Sequence, residues 1–302
     1  MKSLVIGLGI GQLYKTVLTD LGSTVYTLDS DMNKGPDFTS LDEAFDNGDQ
    51  YDTVHISTPN FTHKEIADYV LVNNLAKNAI VFVDKPGFKH SLHWVNAVVY
   101  ANQLYNKPRL MMVKNNQYRS NINKMANDAA HAKFIQLDWI NENRVPNPGS
   151  WFTNKDLAWG GVSRDLMPHL LSYLPKFFPY EYQKAKIVRK RMLQNWKLAD
   201  LTSSNYGNVN PEGVYNVDDY CQIEFDLNGK VITLTADWRS TKESSISATI
   251  GEYYYNLGLC LEAAYKGMIE NALSNKDNDA YWHEQFEQDV WIHSVLESLN
   301  GS

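Results

Sequence analysis

Lys2-Ser3-Leu4-Val5-Ile6-Gly7-Leu8-Gly9-Ile10-Gly11-Gln12 follows Met1, and its reading decides the fold. Residues 3–6 form a short apolar run of strand character, three glycines follow at alternate positions, and a helical pattern begins after them. Glycines at a strand-to-helix turn let backbone N–H groups approach a pyrophosphate. The common fingerprint has its third glycine one residue later, where this chain has Gln12, so the match is to a G-x-G-x-G variant. Gly7, Gly9, Ile10 and Gly11 are candidate cofactor-binding residues. Asp29 ends the second apolar run, about 20 residues after the glycines, where a carboxylate accepts hydrogen bonds from the adenine-ribose hydroxyls. Asp31 competes for that role. A carboxylate there repels a 2′-phosphate, and no Arg or Lys follows until Lys34, so NAD is expected over NADP.

Outward from this turn, apolar runs at 3–6, 24–28, 53–56, 80–83 and 110–113 alternate with helical patterns, the signature of βαβ units and a parallel sheet. Ile66, Tyr69, Val70 and Leu71, and then Leu92, Val95, Val98 and Val99, repeat at helical spacing and predict helices on the sheet faces. Between Ser30 and Asp49, a polar stretch with Gly35-Pro36 predicts a loop with one short helix. Beyond Arg119 the pattern changes. Residues 134–140 alternate as a half-buried strand, and 161–174 read as one helix. The basic stretch 184–191 reads as a strand with a wet face. Residues 220–227 and 230–238 are strands joined at Asn228-Gly229, a strong hairpin signal, and helices at 257–273 and 280–299 finish the chain. The predicted fold is α/β, with a Rossmann dinucleotide-binding domain over 1–118. An α+β domain with a large, mostly antiparallel sheet follows over 119–302. Trp238, Tyr253 and other aromatics of that sheet are offered either to self-association or to the core.

Composition narrows the function classes. The chain is 302 residues long, 43% hydrophobic and 21% charged, a profile of well-packed globular protein. A net charge of -7 argues against a phosphate-backbone binder, because nucleic-acid affinity rests on clustered Lys and Arg. Cys221 and Cys260 stand far apart without metal-type spacing, so neither a disulfide framework nor a metal site is expected, and a reducing compartment fits. No stretch approaches the roughly 18 uninterrupted apolar residues of a spanning helix. No small-residue cleavage site follows the first apolar run. A cytoplasmic protein without a membrane partner is expected.

Thr58-Pro59-Asn60 after the third strand, His63 at the next helix start and Asp84-Lys85-Pro86 after the fourth strand resemble the Gfo/Idh/MocA family of glucose-fructose oxidoreductase and inositol 2-dehydrogenase-like enzymes. That family ends its fourth strand in Glu-Lys-Pro, and here Asp84 replaces the glutamate. Gly160-Gly161-Val162-Ser163-Arg164-Asp165-Leu166-Met167-Pro168-His169 resembles the family's G-G-x-x-x-D-x-G-x-H helix, with Met167 at the glycine position and Ser172 where many members carry aspartate. Asp165 and His169, four apart, would share a helix face.

The resemblance implies hydride transfer between nicotinamide C4 and a secondary alcohol or ketone carbon of a sugar, polyol or sugar derivative. It makes Lys85, Asp165 and His169 catalytic: His169 the proton carrier, Lys85 the donor to the reacting oxygen, Asp165 the orienting group. Thr58, Pro59, Asn60, His63, Asp84 and Lys85 join the cofactor-binding set. Tyr118, Arg119, Trp151 and Arg164 are further candidate substrate contacts, although Asn116-Gln117 stands where inositol-dehydrogenase-like members often carry Arg-Arg. Relatives form dimers or tetramers through the C-terminal sheet, so a homodimer or homotetramer is implied. Two alternatives stay open: a non-catalytic, NAD-binding, sugar-responsive regulator, and a family reductase acting on a non-sugar substrate.

Overall fold

The computed structural model describes residues 1–46, 50–73 and 75–300, so the last residues of the predicted 30–49 loop lie outside the described ones. The chain divides into two compact units, Met1–Val113 with Glu262–Ser294, and Lys114–Leu261 with Val295–Ser302.

In the first unit, β1 (Lys2–Ile6), β2 (Thr24–Leu28), β3 (Thr53–Ile56), β4 (Ile80–Val83) and β5 (Arg109–Met112) form a sheet ordered β2-β1-β3-β4-β5. Every neighbouring pair is parallel. β3 and β4 are buried along their whole length, as strands covered on both faces must be. Helices α1 (Gly11–Asp20), α2 (Leu41–Asp46), α3 (His63–Val72) and α4 (Ser91–Gln103) connect them. The chain leaves β1 toward one edge and returns to β3 on the other side, so the turns after β1 and β3 flank a topological switch point, where such sheets bind ligands. On α4 the buried residues are Trp94, Ala97 and Ala101, whereas Leu92 and Val99, expected inside, are 65% and 47% exposed. Trp94 sets that face, packing its ring against Phe88 and His293.

A line of polar side chains threads this core. Ser23 and Ser3 hydroxyls meet at 2.8 Å, Thr53 donates to Ser3 at 2.8 Å, and His55 Nε2 lies 3.0 Å from Thr53 Oγ1. His55 also stacks on Phe82, with ring centroids 4.7 Å apart. Burial lowers the His55 pKa from 6.5 to about 3. Unfolded, this imidazole binds a proton that the folded form refuses, so its contribution is complete above pH 6.5 and is lost progressively as pH falls toward 3. Thermal melts between pH 7 and 4 are expected to show Tm falling with pH, and His55→Phe to flatten that dependence; an unchanged slope in the variant would contradict this account.

The second unit runs through α5 (Ile122–His131), β6 (Phe134–Glu142), α6 (Lys155–Ala158), α7 (Val162–Asp165), α8 (Met167–Leu171), α9 (Tyr173–Phe177), β7 (Lys186–Leu193), β8 (Tyr220–Leu227), β9 (Lys230–Ser240), β10 (Ser245–Ile250) and β11 (Tyr253–Asn256). Its sheet is ordered β11-β10-β6-β9-β8-β7, with β6 and β9 parallel and all other pairs antiparallel. Alternating burial along β6 and β8 marks one covered face. The β8–β9 hairpin turns at Asn228 and Gly229, with φ of 53° and 82°, the pair of positive values that a two-residue turn matched to strand twist requires.

Two features depart from the sequence reading, a third decides an alternative it left open, and a fourth concerns the division into units. The helix expected over 161–174 is broken into α7, α8 and α9, because Pro168 and Pro175 have no N–H to continue the ladder. β10 and β11 form strands that sequence periodicity did not mark. Trp238 is fully buried, so it belongs to the core and is not a surface for association, whereas Tyr253 and Tyr254 on the edge strand are 57% and 66% exposed. Finally, α10 (Glu262–Ser274) and most of α11 (Asp279–Asn300) group with the first unit, so that unit is not confined to 1–118. Polar side chains on α11 explain this. Gln285, Asp289 and His293, spaced by four, are all buried; Asp289 accepts from the Met112 N–H at 3.0 Å, and His293 Nε2 from the Phe88 N–H at 2.9 Å.

Candidate functional site

The turn after β1 is built on its glycines. A Cβ on Gly7, whose φ is +92°, would lie 2.8 Å from the Ser57 carbonyl oxygen, and one on Gly11 would lie 2.9 Å from Ser57 Oγ and Val5 Cγ1. Both glycines therefore serve close packing of β1, α1 and the end of β3. Gly9 differs. It is exposed, and a Cβ there would meet nothing within 4 Å, so its backbone is open to a ligand. Ile10 is the N-cap of α1, and no side chain caps that helix. Asp29 is 7% exposed; its Oδ2 accepts from the Leu8 N–H at 2.7 Å and its Oδ1 from the Asp31 N–H at 2.9 Å. Burial pushes this carboxyl up, but hydrogen bonds from Lys34, Leu8 and Asp31 outweigh it and hold the pKa below 3.8. An open backbone at Gly9 beside a fixed carboxylate at Asp29 fits the pyrophosphate and ribose of a dinucleotide.

Two more turns at this edge carry expected residues. After β3, the Thr62 hydroxyl donates to Thr58 Oγ1 and to the Pro59 carbonyl, closing the turn that holds Asn60. His63 is fully buried, with Nε2 2.8 Å from the Thr58 carbonyl and Nδ1 3.0 Å from the Gly87 carbonyl. Both ring nitrogens face backbone carbonyls, and the neutral imidazole donates to one of them, so His63 lies between the 58–60 and 84–87 turns with a hydrogen bond to one of the two. Burial lowers its pKa to about 4, so it stays neutral in use. After β4, Asp84 Oδ1 accepts from the Lys85 N–H at 2.9 Å and the Asp84 carbonyl from the Gly87 N–H at 2.9 Å, fixing the backbone of half-buried Lys85. A Cβ on Gly87 would strike His293 Nε2 at 2.4 Å, so His293 of α11 supports the exit of this turn. Sequence reasoning did not single out His293; the spacing of Gln285, Asp289 and His293 on one helix face was the available signal.

In the second unit, Asp165 and His169 rest on one face of the sheet. The Trp238 indole N–H donates to Asp165 Oδ2 at 2.8 Å, and the His169 ring stacks on Trp139 with centroids 4.9 Å apart. Trp139 pairs with Ala236 across β6 and β9, so Trp238, two residues on, points to the same side as Trp139. Asp218, also missed, anchors the start of α7: it accepts from the N–H groups of Gly161 and Ser163 at 2.9 and 2.8 Å and from Ser163 Oγ at 2.9 Å. It carries no motif, only a place before β8.

The remaining candidates divide. Arg164 is buried and donates to the Leu296 carbonyl at 3.1 Å, and burial lowers its pKa to about 10 against the pull of Glu297 and Asp218. Arg119 Nε donates to Asn116 Oδ1 at 2.7 Å and its Nη1 to the carbonyls of Leu257 and Gly258. Each guanidinium bonds to the chain itself through part of its donors, while Arg119 Nη2 and Arg164 Nη1 are buried without a hydrogen-bond partner among the described residues. Tyr118 lies under the Lys176 ammonium, 5.5 Å from its ring centroid, and Trp151 stacks on Phe152 at 3.8 Å. The turn before Arg119, where 114–117 are all buried, holds something else: neither Oδ1 nor Nδ2 of Asn115, nor Nδ2 of Asn116, has a hydrogen-bond partner among the described residues. This turn packs against α8, the helix of His169.

No family model matches the chain. A protein described as the oxidoreductase subunit of a UDP-kanosamine synthase, from Amycolatopsis mediterranei strain S699, is 27% identical over 128 residues, 41% of this chain and 34% of that protein. The match therefore spans about a third of that relative's length. Among solved structures, GenD2 from gentamicin A biosynthesis, in complex with NAD, superimposes with a TM-score of 0.76 at 16% identity, over 99% of this chain and 92% of the other. Levoglucosan dehydrogenase, in complex with NADH and levoglucosan, gives 0.74 at 12% identity over 100% and 98%. A myo-inositol dehydrogenase from Corynebacterium glutamicum gives 0.71 at 11% identity over 98% and 94%. The chain has the fold of the Gfo/Idh/MocA oxidoreductases. Within this Gfo/Idh/MocA fold, the turns holding Gly9, Asp29 and Lys85 belong to the unit of the parallel sheet, and Asp165 and His169 to the unit of the mostly antiparallel sheet. Among the described residues, no group of three or more His, Cys, Asp or Glu side chains is disposed to hold a metal ion, and no helix is long and apolar enough to cross a membrane.

Proposed function

We propose that the chain is an NAD(H)-dependent oxidoreductase acting on a secondary alcohol or ketone carbon of a sugar-like substrate. The observation that carries the proposal is the glycine turn, open only at Gly9, ending on the fixed carboxylate of Asp29. Gly9 and Ile10 would hold the pyrophosphate, Asp29 the adenine ribose, and the 58–60 and 84–87 turns would flank the nicotinamide side. When bound, the dinucleotide supplies the hydride acceptor or donor. The chain's own task is one proton and one developing charge. His169, held flat on Trp139, takes the proton from the substrate hydroxyl in oxidation and returns it in reduction. Lys85, its backbone fixed by Asp84, would donate a hydrogen bond to the reacting oxygen and stabilise alkoxide character. Asp165, tied to Trp238, orients the substrate. Titrating the protein with NADH by nicotinamide fluorescence, then following NADH formation over a panel of sugars and polyols, tests the whole assignment. Firm NADH binding without turnover on any of them would favour the regulator instead.

Asn115 supports the hydroxyl-rich substrate class. Its amide both donates and accepts, which matches a hydroxyl; a carboxylate only accepts and would leave Oδ1 unmet. A buried polar atom without a partner costs about 1–3 kcal/mol. Asn115→Leu, similar in volume, is expected to raise Tm while lowering kcat/KM by about tenfold or more, the loss expected when one such hydrogen bond to substrate disappears. Unchanged kcat/KM would remove Asn115 from the substrate site. Self-association through the second sheet is part of the same proposal, with Tyr253 and Tyr254 as its exposed aromatics.

A further inference from the structure

The sequence spacing sets Lys34 outside the cofactor site, five residues past Asp29, but the chain between them folds back. Asp31 Oδ1 accepts from the N–H and side-chain amide of Asn33 at 3.0 and 2.9 Å, starting a single 3-10 turn over Met32–Lys34. Gly35, at φ 64°, closes it with its N–H on the Met32 carbonyl at 3.0 Å. A left-handed residue is needed at that position, and glycine supplies it without strain. The turn places Lys34 Nζ 2.8 Å from Asp29 Oδ2, the oxygen that also takes the Leu8 N–H.

The two partners differ in access. The Lys34 side chain is 40% exposed and that of Asp29 only 8%, so the ammonium is the part of the pair that solvent and ligands meet. The other carboxylates nearby are committed to the chain: Asp31 caps the turn, and Asp37 accepts from the N–H and hydroxyl of Thr27 at 2.8 and 2.7 Å. A lone aspartate at the end of β2 repels the 2′-phosphate of NADP, whereas a cation beside it accommodates that group. Phosphate recognition by lysine is a charge interaction that needs no fixed fork geometry, so an exposed ammonium suffices.

We propose that Lys34, held against Asp29, relaxes the discrimination between the two nicotinamide coenzymes, so that this chain binds NADPH as well as NADH. The inference rests on the proposed dinucleotide site and names its specificity residue. Asp29 keeps its hydrogen bonds for the ribose hydroxyls of NADH; Lys34 meets the 2′-phosphate of NADPH.

The test is fluorescence titration of the full chain with NADH and with NADPH, at low and at raised salt, for wild type, Lys34→Ala, Lys34→Arg and Lys34→Glu. Wild type is expected to bind NADPH within roughly tenfold of NADH, with NADPH the more salt-sensitive ligand because its extra phosphate meets a partly exposed cation. Lys34→Ala is expected to weaken NADPH about tenfold, the worth of one charge-assisted contact, with NADH unchanged or tighter as Asp29 is freed. Lys34→Glu weakens NADPH further, and Lys34→Arg retains it. Undetectable NADPH binding by wild type that binds NADH, or NADPH affinity unaltered in Lys34→Ala, overturns the inference and leaves the proposed function standing. Failure of both coenzymes to bind overturns the proposed function, and this inference with it.

Discussion

Lys85→Ala and His169→Ala are each expected to lower turnover by roughly 10² to 10⁴, the usual contribution of a placed proton carrier or charge-stabilising donor, while NADH binding survives. The Asp84 turn is closed by backbone groups, the N–H of Lys85 and that of Gly87, and remains when the Lys85 side chain is cut back. His169 lies flat on Trp139, and its removal costs packing in the second unit without touching the glycine turn of the first. The two losses differ in kind. If His169 is the proton carrier, as proposed, His169→Ala should remove a limb from the pH profile of kcat, whereas Lys85→Ala should lower the whole profile. Lys85→Arg is not a conservative exchange, since a planar fork replaces a point charge. Near-normal kcat in both alanine variants on a true substrate would leave the proposed chemistry without its residues.

Much of the fold around the candidate site was legible because its signals are local. Strands β2, β3 and β4 lie where apolar runs bounded by turn residues put them, and the glycine turn, Asp29 and the 84–86 turn follow from their places at strand ends. Asn228-Gly229 specifies its own hairpin through two positive φ values. What escaped depends on contacts distant in sequence. Lys34 reaches Asp29 only because a 3-10 turn reverses the chain, and loop length alone gives no sign of that. His293 lies 205 residues from the Phe88 N–H it accepts, so nothing near the 84–87 turn announces it. Trp238 has strand periodicity that places it on a face, but which face is covered follows from its bond to Asp165 and not from its own neighbours. The single helix read over 161–174 failed for a local reason, the weight given to apolar spacing over two prolines.

That broken helix makes Gly161 the other position of large effect. A Cβ there would lie 1.8 Å from the Asp218 carbonyl oxygen and 2.9 Å from its carbon, and backbone cannot step aside as a side-chain end can. The same aspartate holds the start of α7 through the Gly161 and Ser163 N–H groups and Ser163 Oγ, hydrogen bonds to a charged group worth about 1.5–3 kcal/mol each. Gly161→Ala must therefore push α7 off Asp218, and with it Asp165, the last residue of α7, and His169, the proposed proton carrier, just beyond. A displacement of about 1 Å at reacting groups costs on the order of 10² in rate. Gly161→Ala is expected to lower kcat by about that factor, measured well below its reduced Tm, with NADH affinity unchanged because the glycine turn belongs to the other unit. Asp218→Ala should reproduce the loss more mildly, since it removes the anchor without adding a clash. A purely structural defect would add its cost to any other variant. Misplacement of His169 instead predicts that Gly161→Ala has little further effect on kcat in a His169→Ala background, because the group it displaces is already gone. Full additivity in that double variant would detach Gly161 from the chemistry.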